Sequence, residues 1–168
     1  METNRNWKKT TEKKYLFLVG EKKIGELELQ SSRWNRSAII NLEGQLYTIA
    51  YTGFWKSKLL LFDYKGDVVL KAYPEKWFSN HTTIEYKNIK LNLKIRNNPL
   101  VEFVITNDTS ELLSYSLENN GGTLVTKIIS LPENEDYFLD FLLWYLFQPI
   151  AQENTGDNLI FQSLLMSL

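Results

Sequence analysis

The segment EDYFLDFLLWYLFQP, Glu135–Pro149, constrains the fold more than any other part of the chain. From Tyr137 to Phe147 every residue except Asp140 is apolar or aromatic. The preceding SLPE, Ser130–Glu133, has the form of a capping box with Pro early in a helix, and Asn134 is a second candidate cap. Glu135 and Asp136 suit the positive end of a helix dipole, and Pro149 lacks the N–H that continuation needs. The pattern predicts a helix over about 134–148, roughly 14 residues and about 21 Å long. Its apolar character runs all round, so no face suits water. Such a helix needs protein or lipid on every side. Spanning a bilayer takes about 20 apolar residues, and Asp140 is costly at membrane depth. A protein wall is therefore expected. Asp140, if enclosed, needs a cation or a hydrogen-bond donor beside it, which gives it a structural role.

The residues before Leu131 supply material for that wall. Short candidate strands follow one another from Tyr15–Val19 to Thr123–Ser130, about eleven in all, every 8 to 12 residues. In KLNLKI, Leu91, Leu93 and Ile95 alternate with Lys90, Asn92 and Lys94, the period of a half-buried strand. NLEG (Asn41–Gly44) and DYKG (Asp63–Gly66) place Asx first and Gly last, as bulged hairpin loops do. ENNGG, Glu118–Gly122, is a third turn. The fold expected is mainly β with one central helix (α+β). It is an antiparallel closed barrel of about 11–12 strands around the helix at 134–148. Barrels of more than eight strands have room for more than their own side chains.

Residues 1–14 read as a flexible basic tail, 15–150 as the barrel with its buried helix, and 151–168 as an extension. If helical, that extension presents Leu159, Ile160, Phe161, Leu164, Leu165 and Leu168 as an apolar flank. The flank could cover the barrel wall, pair with a second chain or touch a membrane.

Strands closing around a very hydrophobic C-terminal helix resemble the tubby C-terminal-like superfamily, which includes the LURP-one-related proteins and the phospholipid scramblases. The resemblance rests on IINLEGQLYTIAYTGFWKSKLLLFDYKGDVVLKA and EDYFLDFLLWYLFQP and covers roughly residues 15–150. It is one of architecture and hairpin rhythm, and carries no family binding residue onto a numbered position. It implies a plugged barrel and contact with phosphoinositide headgroups or a membrane, through basic side chains on the barrel exterior.

Chemistry is sparse. The chain has no cysteine, which excludes disulfides, thiol nucleophiles and thiolate metal sites and fits a reducing compartment. The single histidine, His81, reads as a polar loop residue; no G-x-S-x-G elbow or phosphate-cradling glycine loop accompanies it. Asp63 and Asp67 read as turn residues, since a calcium loop needs a denser set of oxygens. No enzyme activity, cofactor or metal is expected. A formal net charge of -1 gives no global attraction to nucleic acid. The candidate surface is a pair of basic-aromatic loops: Arg33, Trp34 and Arg36 in one, Phe54, Trp55, Lys56 and Lys58 in the other. Trp suits a membrane–water boundary, and Lys or Arg attracts anionic lipid. The default is that Trp34 and Trp55 pack on the barrel while the cations are solvated. Lys8, Lys9, Lys13 and Lys14 form a further basic cluster with the same two readings. The expectation is a non-enzymatic, cytoplasmic binding module with an anionic membrane surface as peripheral partner. The alternatives are a lipocalin-like carrier of an apolar ligand, and an assembly domain that meets a protein partner or a second copy through its C-terminal tail.

Overall fold

A computed structural model describes residues 4–32, 35–53, 55–76, 80–97, 100–132 and 134–155. Twelve strands come first: β1 (Arg5–Lys9), β2 (Lys14–Val19), β3 (Lys22–Ser32), β4 (Asn35–Leu42), β5 (Gln45–Thr52) and β6 (Lys58–Asp63). The second half is β7 (Val68–Pro74), β8 (His81–Tyr86), β9 (Ile89–Asn97), β10 (Val101–Thr106), β11 (Glu111–Asn120) and β12 (Thr123–Ser130), followed by one helix, α1 (Phe138–Thr155). The strands pair antiparallel in chain order from β1 to β12 and curl into a nearly closed barrel.

The turn chemistry read from the sequence does its work. Asp63 Oδ1 accepts the N–H groups of Lys65 at 2.8 Å and Asp67 at 2.9 Å, and Gly66 has φ 88°. The loop at Asn41–Gly44 is tighter than the bulged form expected. Leu42 pairs directly with Gln45, and both Glu43 (φ 52°) and Gly44 (φ 81°) are left-handed, the arrangement that matches strand twist in a two-residue hairpin.

The helix runs inside this wall. Phe138 packs on Tyr47 of β5 and Tyr86 of β8; Phe141 on Trp7 of β1 and Phe17 of β2; Phe147 on Phe103 of β10 and Tyr115 of β11. Side chains from opposite sides of the barrel meet it, so its lack of a polar face is answered by protein all round. The barrel has two ends. The helix enters among the β4–β5 and β8–β9 turns and leaves near the β1–β2 and β11–β12 turns.

The expected barrel is present and nearly closed, with no pairing between β1 and β12 among the described residues. Two boundaries differ from the sequence reading. Residues 1–14 are not a tail throughout, because Arg5–Lys9 pair with β2, Trp7 opposite Phe17. The helix starts later, at Phe138, and continues past Pro149 to Thr155. Its first turn is capped by Asp136, whose Oδ1 accepts the Phe138 N–H at 3.3 Å, while Asn134 serves the N–H of Asp136 instead.

Continuation past Pro149 has a specific cause. In a helix the N–H of residue 149 would serve the carbonyl of Tyr145, and proline leaves that oxygen without its donor. Arg36 Nη2 takes the place at 3.2 Å. The Tyr145 hydroxyl donates in return to the Arg36 carbonyl at 2.7 Å, and the guanidinium lies 5.2 Å from the Tyr145 ring centroid.

Restoring the N–H should make Arg36 dispensable. Arg36→Met is expected to cost about 1.5–3 kcal/mol in the native background and clearly less beside Pro149→Ala, as a double-mutant cycle of urea midpoints would measure. Gly25 gives a second test. A Cβ there would overlap the Asn41 carbonyl oxygen and lie 2.9 Å from Phe141 Cζ. Gly25→Ala is expected to lower stability by about 2–3 kcal/mol in urea unfolding.

Candidate functional site

The meander returns the β3–β4 and β5–β6 hairpins to the same end, and β4 pairs with β5, Ser37 opposite Ala50. The two basic-aromatic loops therefore sit side by side at the end where α1 leaves. Arg33, Trp34 and Phe54 lie outside the described residues. Arg36 is committed to Tyr145 and, at 3.5 Å, to Gln148, so it serves the helix first. Trp55 is 71% exposed and does not bury its ring in the wall. Lys56 is exposed in a left-handed conformation, φ 48°, its N–H bonded to the Gly53 carbonyl at 3.1 Å. Lys58 is exposed at the start of β6. Of the N-terminal lysines, Lys9 pairs with Glu12 at 3.1 Å and Lys14 with Glu28 at 3.3 Å, both on the surface and worth little.

Lys58 leads onto a larger basic surface that loop-by-loop reading missed. On the outer face of β7–β9, Lys71, Glu85 and Lys90 stand directly across from one another in one row. Lys94 stands opposite His81 on the same sheet. Glu85 is held below the usual carboxylate range first by the Tyr73 hydroxyl, which donates to it at 2.6 Å, and then by Lys71, Lys90 and Lys58. One carboxylate thus sits among several lysines. The signal was present in the sequence as the outward half of the β9 alternation, but register across three strands was needed to gather it.

Inside the barrel a polar chain crosses the apolar core. Asp140 is fully buried and forms an ion pair with Arg5. It also accepts the Tyr115 hydroxyl at 2.9 Å, and Tyr115 in turn accepts the Trp7 indole N–H at 2.8 Å. Arg5 donates as well to the Asn134 carbonyl, and its guanidinium lies 5.2 Å from the Tyr137 ring centroid. The partner that Asp140 requires comes from the strand read as a tail. Burial pushes the Asp140 carboxyl up to about 7, with Arg5 and the Tyr115 hydroxyl opposing. This network fixes β1 to α1.

One surface cleft, of about 590 Å³, lies at the entry end between the β4–β5, β6–β7 and β8–β9 turns. Tyr86 and Lys87 border it; their hydroxyl and ammonium both reach Asp136 Oδ2 at 2.6 Å. Among the described residues no group of three or more His, Cys, Asp or Glu side chains could hold a metal ion. No described helix is long and apolar enough to cross a membrane. Comparison with family models, with curated proteins and with solved structures gives no match to this chain.

The raised Asp140 sets a direction for stability. The folded state takes up a proton at Asp140 between about pH 4 and 7 that the unfolded chain does not. This carboxyl's contribution is fully present below about pH 4 and is lost as pH rises through about 7. Relative to Asp140→Asn, the native chain is expected to gain stability as pH falls from about 8 to 5, measured by urea titrations across that range.

Proposed function

We propose that the chain is a non-enzymatic, tubby-like binding module that docks on an anionic membrane surface from the cytoplasmic side. The observation that carries this reading is the lysine-rich outer face of β6–β9, with Lys58, Lys71, Lys90 and Lys94 around the single row carboxylate Glu85. Lys58 joins that face to the β5–β6 hairpin, where Trp55 is exposed at the tip. A cationic face beside an exposed indole suits a headgroup layer, with Trp at the boundary and lysines toward phosphate. The plugged lumen supports a surface function as well. A carrier needs an open barrel, and α1 occupies this one, so we do not propose the carrier.

Each lysine near an anionic surface contributes about 1 kcal/mol, a factor of about five in partition. The chain is expected to sediment with phosphoinositide-containing vesicles and not with neutral ones, more weakly as salt rises. Lys71→Ala with Lys90→Ala should lower partition roughly 25-fold; Trp55→Ala should lower it without changing the salt slope. Equal partition to neutral and anionic vesicles, or none to either, would sink the proposal.

A further inference from the structure

On a sheet with one face in the core, outward side chains are ordinarily polar. β9 obeys: Leu91 and Leu93 join the core, and Lys90, Asn92 and Lys94 alternate with them on the outside. β6 does not. Its sequence KLLLFD turns Leu59 and Leu61 into the core, while Leu60 and Phe62 lie half-buried on the outer side, apart from that core. Register extends the exception to the neighbouring strands. Phe62 stands across from Thr48 of β5 and Val68 of β7, and Thr48 stands across from Ile39 of β4. Leu60 stands across from Ala50. Ile39, Leu46 and Val68 are all exposed. The outer face of β4–β7 is therefore an apolar strip.

The strip runs into the basic face without a break. One row of paired residues reads Ala50, Leu60, Lys71, Glu85 and Lys90 from β5 to β9. The two turns that bound β6 each expose an amphipathic aromatic, Trp55 before the strand and Tyr64 after it, both 71% exposed. Contiguous apolar surface rimmed by charge marks a contact site.

We infer that the outer face of β4–β7 is an insertion surface, and that the barrel lies on its side with β6 along the plane of an anionic bilayer. The inference rests on the membrane reading above and adds to it an apolar contact and an orientation. Ile39, Leu60 and Phe62 enter the boundary between headgroups and acyl chains. Trp55 and Tyr64 hold the two ends of the strand at headgroup level, and Lys58, Lys71 and Lys90 meet phosphate. A bilayer suits this face better than a folded partner does. β4–β7 each pair on both sides, so they leave no edge for an added strand. The outside of a barrel is convex; a bilayer conforms to it, whereas a protein needs a matching hollow. A second copy turned face to face would set Lys71 and Lys90 toward Glu26 and Glu28 of β3, and those carboxylates are already paired with Lys23 and Lys14.

The chain has no cysteine, so one introduced cysteine places a fluorophore at a single position. Leu60→Cys is compared with Ile129→Cys on β12, an exposed position on the opposite side of the barrel. With phosphatidylcholine vesicles that contain a phosphoinositide and a lipid-borne quencher, the label at position 60 is expected to be quenched and the label at position 129 is not. Ile39→Ser with Phe62→Ser is expected to lower partition of the full chain roughly tenfold and to leave its salt dependence unchanged. Vesicle binding with an unquenched label at position 60 overturns the insertion and leaves the electrostatic reading standing, as does native partition of the double variant. Failure of the native chain to bind these vesicles overturns both. Self-association without vesicles that Phe62→Ser abolishes also overturns the insertion, and assigns the strip to a second copy.

Discussion

A helix with no polar face cannot be laid on a surface; it has to be wrapped. That requirement sets the size of everything around it. Eight strands would fill their own interior, while twelve enclose a space wide enough for α1 and its aromatic side chains. The inward residues of the wall are correspondingly spare in places. Gly25 leaves room for Phe141, while Phe17, Phe103 and Tyr115 pack against the aromatic side chains of α1. Wall and plug are two halves of one core, since neither has another way to bury its apolar surface.

The price of such burial falls on the few polar groups that go inside, and the chain answers several of them with long-range partners. Asp140 meets Arg5 and Tyr115, the Tyr145 carbonyl meets Arg36, and Gln148 donates to the Tyr15 hydroxyl at 2.8 Å. These contacts do more than satisfy valence. They fix the rotation and depth of a helix whose apolar contacts alone would tolerate several positions. Buried polar pairs of this kind are better understood as selecting one arrangement than as adding stability, because the desolvation of Arg5 and Asp140 offsets much of their attraction.

Alternation and turn residues made the barrel legible, and uninterrupted apolarity made its helix legible. Both are local patterns, and the residues that carry them are contiguous. What was hidden is what register alone assembles. RNWKK looks like a basic tail because its one apolar residue, Trp7, has no apolar neighbours in sequence. Its identity as a strand depends on Phe17, Phe141 and Trp144 lying around it. Pro149 looks like a stop because the residue that relieves it, Arg36, is more than a hundred positions away. The lysine row around Glu85 is likewise spread over three strands. Arg36 shows the converse: a cation picked out for an outward role is exposed and also bonds to the helix. Of the candidate surface, the hairpins and their shared end could be anticipated, and the gathering of β6–β9 lysines could not.

The order of the elements also says something about how the molecule is made. Every strand pairs with the one just before it, so the wall can assemble hairpin by hairpin as the chain emerges from the ribosome. The helix that completes the core is synthesised after all twelve of these strands. Until it arrives, a nascent sheet with one apolar face stands open, with two edges and nothing to close on. Such intermediates are the species that aggregate and that chaperones hold. A barrel built around a helix that follows its strands is thus translated hollow, and closing the core must wait for that helix to be made.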